Sequence, residues 1–362
     1  MSRIAFYSFY FLYAVALFYL SITLPIGPNE ALVYYTTDDV VLKFLTHLTS
    51  GLFQSCLSFR FLFVIFGLIN ITLFHIMSKS YFNKEEENYF ATMIFALLPG
   101  IITSSVIVNI AVVVVTIVLL FLITYEENKL YISILLMALL LFIHDASIIF
   151  FLGLSLFAIV KKDKFLFIFS LLFSTVSLVY FNKLDIGGHP SGEFMELIGL
   201  YLALFSPFVF IYFFYALYRI WLREKKDILW YISFSAFMFS ILLSLRQQVI
   251  MTDFAPYVIV SVVLMVLVYQ RTVQVRLPQF QKSYRLGVKI VVGSLFLTTF
   301  IIIFHKFFFS VIEDKSKHFA YPFYQPYWQV EELKEIGENC YTVKNIKRQY
   351  QLKYYGIESC QE

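Results

Sequence analysis

The feature that most constrains this 362-residue chain is how often it stays apolar for the length of a bilayer crossing. Ile4 to Leu24 carries no ionisable acid or base other than tyrosine, and comparable runs recur to Phe309. A helix rising 1.5 Å per residue needs about 20 apolar residues to traverse the hydrocarbon, and lipid-facing backbone must hydrogen-bond within its own helix. Counting on that basis predicts eleven spans. They are Ile4–Leu24, Phe61–Met77, Tyr89–Thr103, Val106–Thr124, Tyr131–Ile143, Ala146–Val160, Phe165–Phe181, Met195–Tyr218, Ile228–Ser244, Phe254–Tyr269 and Leu286–Phe309. The third and fourth read as a hairpin turning at Leu98-Pro99-Gly100, and the fifth and sixth as one turning at His144-Asp145. Both hairpins are short enough to be re-entrant.

Composition agrees: 60% of residues are hydrophobic and only 14% charged, where a soluble domain carries roughly 25% charge. The expected fold class is an all-α polytopic membrane protein, and the chain holds no sizeable soluble catalytic domain. Placing the N-terminus in the cytoplasm puts sixteen Lys and Arg residues in cytoplasmic segments and four, Lys43, Arg60, Lys183 and Arg246, in the opposite loops. That bias predicts N-terminus in and, with an odd number of spans, C-terminus out. The first apolar run is too long for a secretory signal and lacks a small-x-small cleavage site before Pro25, so it is expected to be retained. Neither end carries a lipidation motif.

Soluble-enzyme signatures are absent: no phosphate-cradling glycine loop, nucleophile elbow or paired-His zinc motif is present. No basic cluster interleaved with aromatics suggests a nucleic-acid partner. The tail beyond Val311 is polar and rich in Tyr and Trp, which predicts a small extracytoplasmic α+β domain over 311–362, following a transmembrane domain over 1–310. Trp328, Val330, Leu333 and Ile336 have helical spacing, whereas Tyr350, Leu352 and Tyr354 alternate like a strand. Cys340 and Cys360 lie in this tail, where an oxidising compartment would permit a disulfide, with two free thiols as the alternative. Cys56 reads as a buried small hydrophobe.

The outward first loop, residues 25–60, concentrates Glu30, Asp38, Asp39, Lys43 and His47 directly after an uncharged span. A group transfer from a lipid-linked phosphate at such a membrane face would need a base for the acceptor hydroxyl, a cation for the leaving phosphate and a groove for the lipid. Glu30 is the first candidate base. Asp38 and Asp39 are candidates for a second carboxylate or for ligands of a divalent cation; no cofactor is certain and any metal is unknown. Lys43, Arg60 and Arg246 are the phosphate-binding candidates, and His144 and Asp145 could touch substrate from their turn. Each has a plainer reading: Glu30 as a solvated acid, Asp38 and Asp39 at the N-terminus of an interfacial helix Val40–Leu48, Arg60 as a headgroup anchor, Arg246 paired with Asp253, and His144-Asp145 as a polar hairpin tip.

The order of several short elements resembles the GT-C class of membrane glycosyltransferases, in particular the protein mannosyltransferase and aminoarabinose-transferase type. Asn29-Glu30-Ala31-Leu32-Val33-Tyr34-Tyr35 stands where that type has an acidic element after its first span. Ser58-Phe59-Arg60 before Phe66-Gly67-Leu68, Ala96-Leu97-Leu98-Pro99-Gly100, and Leu243-Ser244-Leu245-Arg246 with Asp253 to Tyr257 follow in the same order, over roughly residues 1–270. The resemblance implies transfer of a sugar from a polyprenyl-phosphate-linked donor to a lipid or glycan acceptor at the periplasmic face of a bacterial inner membrane, with Tyr257 near the phosphate. Two departures stand out: the family's first-loop aspartate is Asn29 here, and its later lysine is Arg246. An arginine can still hold a phosphate bidentately.

Two other classes compete. An O-antigen-type polysaccharide polymerase or ligase would place its key residues in a large outer loop between late spans, and the Leu184–Glu193 loop is short. A transporter or non-catalytic scaffold would need ionisable groups near mid-bilayer, where Asn70 and Asn109 are the main polar intrusions.

Overall fold

The computed structural model describes residues 2–37, 39–53, 55–181 and 193–360, and all regular secondary structure among them is helical. Asp38, Lys183, His189 and most of the Leu184–Glu193 loop lie outside the described residues. The first span is α1 (Arg3–Thr23); the first loop forms α2 (Pro28–Thr36) and α3 (Val40–Leu48), and α4 (Leu57–Ser78) is the second span. There follow α5 (Glu85–Leu97) and α6 (Pro99–Val106), α7 (Ala111–Glu126), α8 (Leu130–Ile143), α9 (Ser147–Lys161), α10 (Lys164–Val176), α11 (Phe194–Phe205) and α12 (Pro207–Arg223). The rest are α13 (Ile228–Ser244), α14 (Met251–Ile259), α15 (Val262–Val275), α16 (Pro278–Ile303), the single turn α17 (His305–Phe308), α18 (Tyr321–Ile336) and α19 (Ile346–Tyr354).

Of the apolar segments, α1, α4 and α16 are single helices long enough to cross a membrane, and three further candidates are bent pairs. Five others, α7 to α10 and α13, are shorter apolar helices. The bent pairs correct the sequence reading. Leu98-Pro99-Gly100 is no hairpin turn: Pro99 ends α5 and opens α6 at 59°, because a proline lacks an N–H yet suits the first position of a new helix. Apart from Leu98 at the break, the chain stays helical until Val106. Met195–Tyr218 is likewise two helices meeting at 103°, broken where Pro207 follows Ser206, whose φ of 72° no helix accommodates. The pair α14 and α15 bends by 41°.

The chain divides into two compact units. The bundle unit comprises Met1–Ser8, Leu68–Ile102 and Ile110–Thr299. Within it α9 packs on α10 and α13, α7 on α8 and α14, and α12 on α15. The α9–α13 approach depends on small residues: a Cβ at Gly153 would lie 2.6 Å from Ser235 Oγ, and Ser233, Ser235, Ala236 and Ser240 line α13's buried face.

The loop-and-tail unit comprises Phe9–Gly67, Thr103–Asn109 and Phe300–Glu362. Segment 311–362, expected as a separate domain, therefore shares a unit with the first loop. Its own core is Val330, Leu333, Leu352 and Ile357, closed by a Cys340–Cys360 disulfide. The expected strand is instead α19: Asn345 caps it, accepting from Lys347 N and Arg348 N, and Gly356 at φ 91° follows its end. Tyr350 and Tyr354 alternate with Leu352 because they stand one turn apart on the face toward α2, while Leu352 turns to the core. Tyr350 stacks on Tyr35 and Tyr354 meets Tyr34 edge-on. The only β-type pairing among the described residues is an isolated bridge between Cys340 and Glu358.

Candidate functional site

Two polar centres emerge, one in each unit. In the loop-and-tail unit, Pro28 starts α2 and places Glu30 in its first turn, where the carboxylate Oε2 accepts from Gly27 N at 2.8 Å. Gly27 is needed there because a Cβ would lie 2.6 Å from the Phe323 ring. Arg60, near the start of α4, donates from Nε to Glu30 Oε1 at 2.8 Å and from Nη2 to Oε2. Its remaining three donors reach carbonyls: Nη1 to Ser21 at 3.2 Å and Leu24 at 2.6 Å, and Nη2 to Pro25 at 2.9 Å. All five guanidinium hydrogens are thus engaged. Glu30 Oε1 also accepts from Val108 N at 2.9 Å. Relative exposure is 0% for Arg60 and 1% for Glu30.

This geometry corrects the expected roles of both residues. A base must reach a solvent-borne hydroxyl, and a phosphate clamp must have donors to offer. Glu30 and Arg60 have neither opening; they tie the end of α1, the start of α2, the start of α4 and the 103–109 segment together. The expected solvated acid and headgroup anchor are equally wrong.

The other first-loop candidates are dispersed. Asp39 caps α3, its Oδ1 accepting from Val41 N at 2.9 Å and Leu42 N at 3.0 Å, which fits the interfacial-helix reading over the catalytic one. Lys43 and His47 edge a shallow recess on α3 beside Phe44 and Leu48, with His47 Nε2 3.1 Å from Tyr34 O. Val40, Phe44 and Leu48 form an exposed stripe one turn apart. Asn29, standing where the resembled family has its aspartate, accepts from Lys347 Nζ at 2.8 Å. No three His, Cys, Asp or Glu side chains gather among the described residues as a divalent cation would require.

The second centre belongs to the bundle unit. The turn between α8 and α9 buries His144, whose Nδ1 lies 2.7 Å from the Tyr257 hydroxyl. Phe150 stacks on Tyr257, and Ser233 Oγ donates to Tyr257 O at 3.1 Å, fixing α14 against α9 and α13. His144 Nε2 is buried with no hydrogen-bond partner, 3.9 Å from Asp253 Oδ1. Asp253, in the first turn of α14, is 32% exposed. Asp145 is exposed and acts electrostatically on both His144 and Asp253. Burial pushes the imidazole down to about 4, with the Asp145 charge opposing, so at neutral pH the ring carries one proton. With Tyr257 donating to Nδ1, the ring proton sits on Nε2, beyond hydrogen-bond distance of Asp253 Oδ1.

Tyr257 is fully buried with its hydroxyl on His144, so it holds the imidazole rather than a phosphate. Arg246, in the loop between α13 and α14, is exposed and has no side-chain ion pair among the described residues; the expected pair with Asp253 is not formed. Gln248 of the same loop donates to Glu196 Oε1 of α11 at 2.6 Å. The His144–Asp253 approach escaped the sequence reading, although both turns fall on the same expected side and that parity was a usable signal.

No family model and no curated protein matches the chain's sequence. Its structure is similar to the crystal structure of ArnT from Cupriavidus metallidurans in the apo state, with a TM-score of 0.55 and 9% identity over 98% of this chain and 85% of that one. What is shared at that identity is the fold: the chain has an ArnT-like helical architecture, with several helices or bent helix pairs apolar and long enough to cross a membrane.

Proposed function

We propose that the protein is an integral membrane glycosyltransferase, moving a sugar from a polyprenyl-phosphate donor to a lipid or glycan acceptor at the periplasmic face of a bacterial inner membrane. The observation that carries this reading is the half-open Asp253 carboxylate held beside the buried His144 imidazole, in a chain of ArnT-like fold. Asp253 takes the proton of the acceptor hydroxyl while its oxygen attacks the anomeric carbon. The bond from that carbon to the phosphate oxygen breaks, and the guanidinium of Arg246 receives the leaving phosphate. His144, oriented by Tyr257, steers Asp253; Asp145 supplies a second acidic group at the mouth. Lys43 on α3 meets the headgroup region.

The cation bias and the Cys340–Cys360 disulfide both support an extracytoplasmic tail, since disulfides persist in oxidising compartments. The test is Asp253→Asn in cells, with surface glycans read by mass spectrometry. Loss of the modification at normal protein level is expected. Unchanged glycans remove the proposed base, and single repeat units in place of polymer point to a polymerase instead.

A further inference from the structure

At the opposite end of α13 from His144 and Asp253, the bundle unit has a second polar recess, of about 410 Å³, where the ends of α12 and α15 meet. Tyr215, Tyr218, Arg219, Arg223, Thr272 and Arg276 line it. The basic side chains there are unequal. Arg219 donates to Thr272 Oγ1 and lies 3.5 Å from Glu224 Oε1, and Arg271 bonds the same carboxylate. Glu224 is thereby shared by two arginines. Arg223 is exposed with no carboxylate partner among the described residues, and Arg276 is exposed with its guanidinium 4.5 Å from the centre of the Tyr284 ring. Two guanidinium groups therefore face the recess with donors to spare, beside tyrosine hydroxyls, which is the chemistry that takes a phosphate diester.

The surroundings say which source of phosphate fits. Ile211, Tyr215, Tyr218 and Leu222 stand at helical spacing on α12, all exposed, and Val275 is exposed at the rim. An apolar stripe running away from paired arginines, with tyrosines at the junction, matches a lipid whose headgroup sits in the recess and whose chains lie along the helix. A soluble phosphate would have no use for the stripe. By the cation count this end faces the cytoplasm, where anionic lipids attract basic groups.

We infer that the recess between α12 and α15 is a binding site for an anionic phospholipid, its phosphate held by Arg223 and Arg276 and its acyl chains by the exposed face of α12. The site lies outside the proposed transfer chemistry and does not depend on it.

Native mass spectrometry of the full-length protein in detergent, titrated with phosphatidylglycerol or with zwitterionic phosphatidylethanolamine, tests this. Phosphatidylglycerol should bind at least about tenfold more tightly, and R223Q/R276Q should lose about twenty-fivefold, near fivefold per arginine. R223Q alone, at a side chain with no partner to lose, should lose about fivefold even should the double variant fold poorly. Leu222→Asn should weaken the lipid further while leaving inorganic phosphate unaffected. Equal binding of the two lipids, unchanged retention in R223Q, or displacement of phosphatidylglycerol by millimolar inorganic phosphate or ATP would overturn the assignment.

Discussion

The two polar centres use similar residues to opposite ends. Around Arg60 every donor has an acceptor and both carboxylate oxygens of Glu30 are occupied, so the pair is closed to ligands. Around His144 one imidazole nitrogen has no hydrogen-bond partner and the neighbouring carboxylate is partly open. A saturated buried pair fixes a conformation; an unsaturated one beside an exposed acid has hydrogen-bonding capacity left over, and the proposed transfer chemistry draws on it. Charge in the first loop, however prominent in the sequence, is therefore a weaker pointer to chemistry than unfilled hydrogen-bonding capacity.

The largest effect should come from the open centre. Asp253→Asn should lower transfer by roughly 10²- to 10⁴-fold, as expected for loss of a general base, with the melting temperature in detergent unchanged. Equal activity of this variant and wild type in a lipid-linked sugar transfer assay would remove the contrast. At the closed centre, Arg60→Ala leaves a buried carboxylate without its partner and should cost about 3–5 kcal/mol of stability, read as early thermal unfolding. Glu30→Gln sharpens the point: its activity per folded molecule should stay near wild type, and a stable but inactive Glu30→Gln protein would reverse the assignment of the two centres. Cys340→Ser should cost about 3 kcal/mol, in line with a loop of this size, and lower the midpoint of the loop-and-tail unit without changing transfer per folded molecule. The smallest effect is Tyr257→Phe. Losing one hydrogen bond to His144 should cost about 1 kcal/mol and shift the pH profile of transfer more than the affinity for donor.

Much of the architecture could be read from local pattern. Apolar runs fall where the helices are, and α3 spans Val40–Leu48 with Asp39 at its cap, because capping and hydropathy act over a few residues. The tail disulfide was also within reach of spacing and compartment. What failed were inferences about partners. Glu30 and Arg60 looked like solvent-facing groups because neither betrays the other thirty positions away, and the His144–Asp253 approach joins segments more than a hundred residues apart. Tyr350, Leu352 and Tyr354 misled because three residues cannot distinguish a strand's alternation from two faces of a helix. The breaks at Pro99 and Pro207 were visible as prolines, yet a proline alone does not set the angle: the first bends by 59° and the second by 103°.

The junction between first loop and tail has a consequence for biogenesis. Ile26 O accepts from Gln351 Nε2 and Ile26 N donates to the Tyr355 hydroxyl, so the first loop is held by side chains more than three hundred positions further along the chain. A nascent chain emerging from the ribosome cannot finish this unit until α19 has been translated, however early its first hydrophobic helix inserts. Premature termination anywhere before α19 leaves the first loop without these partners.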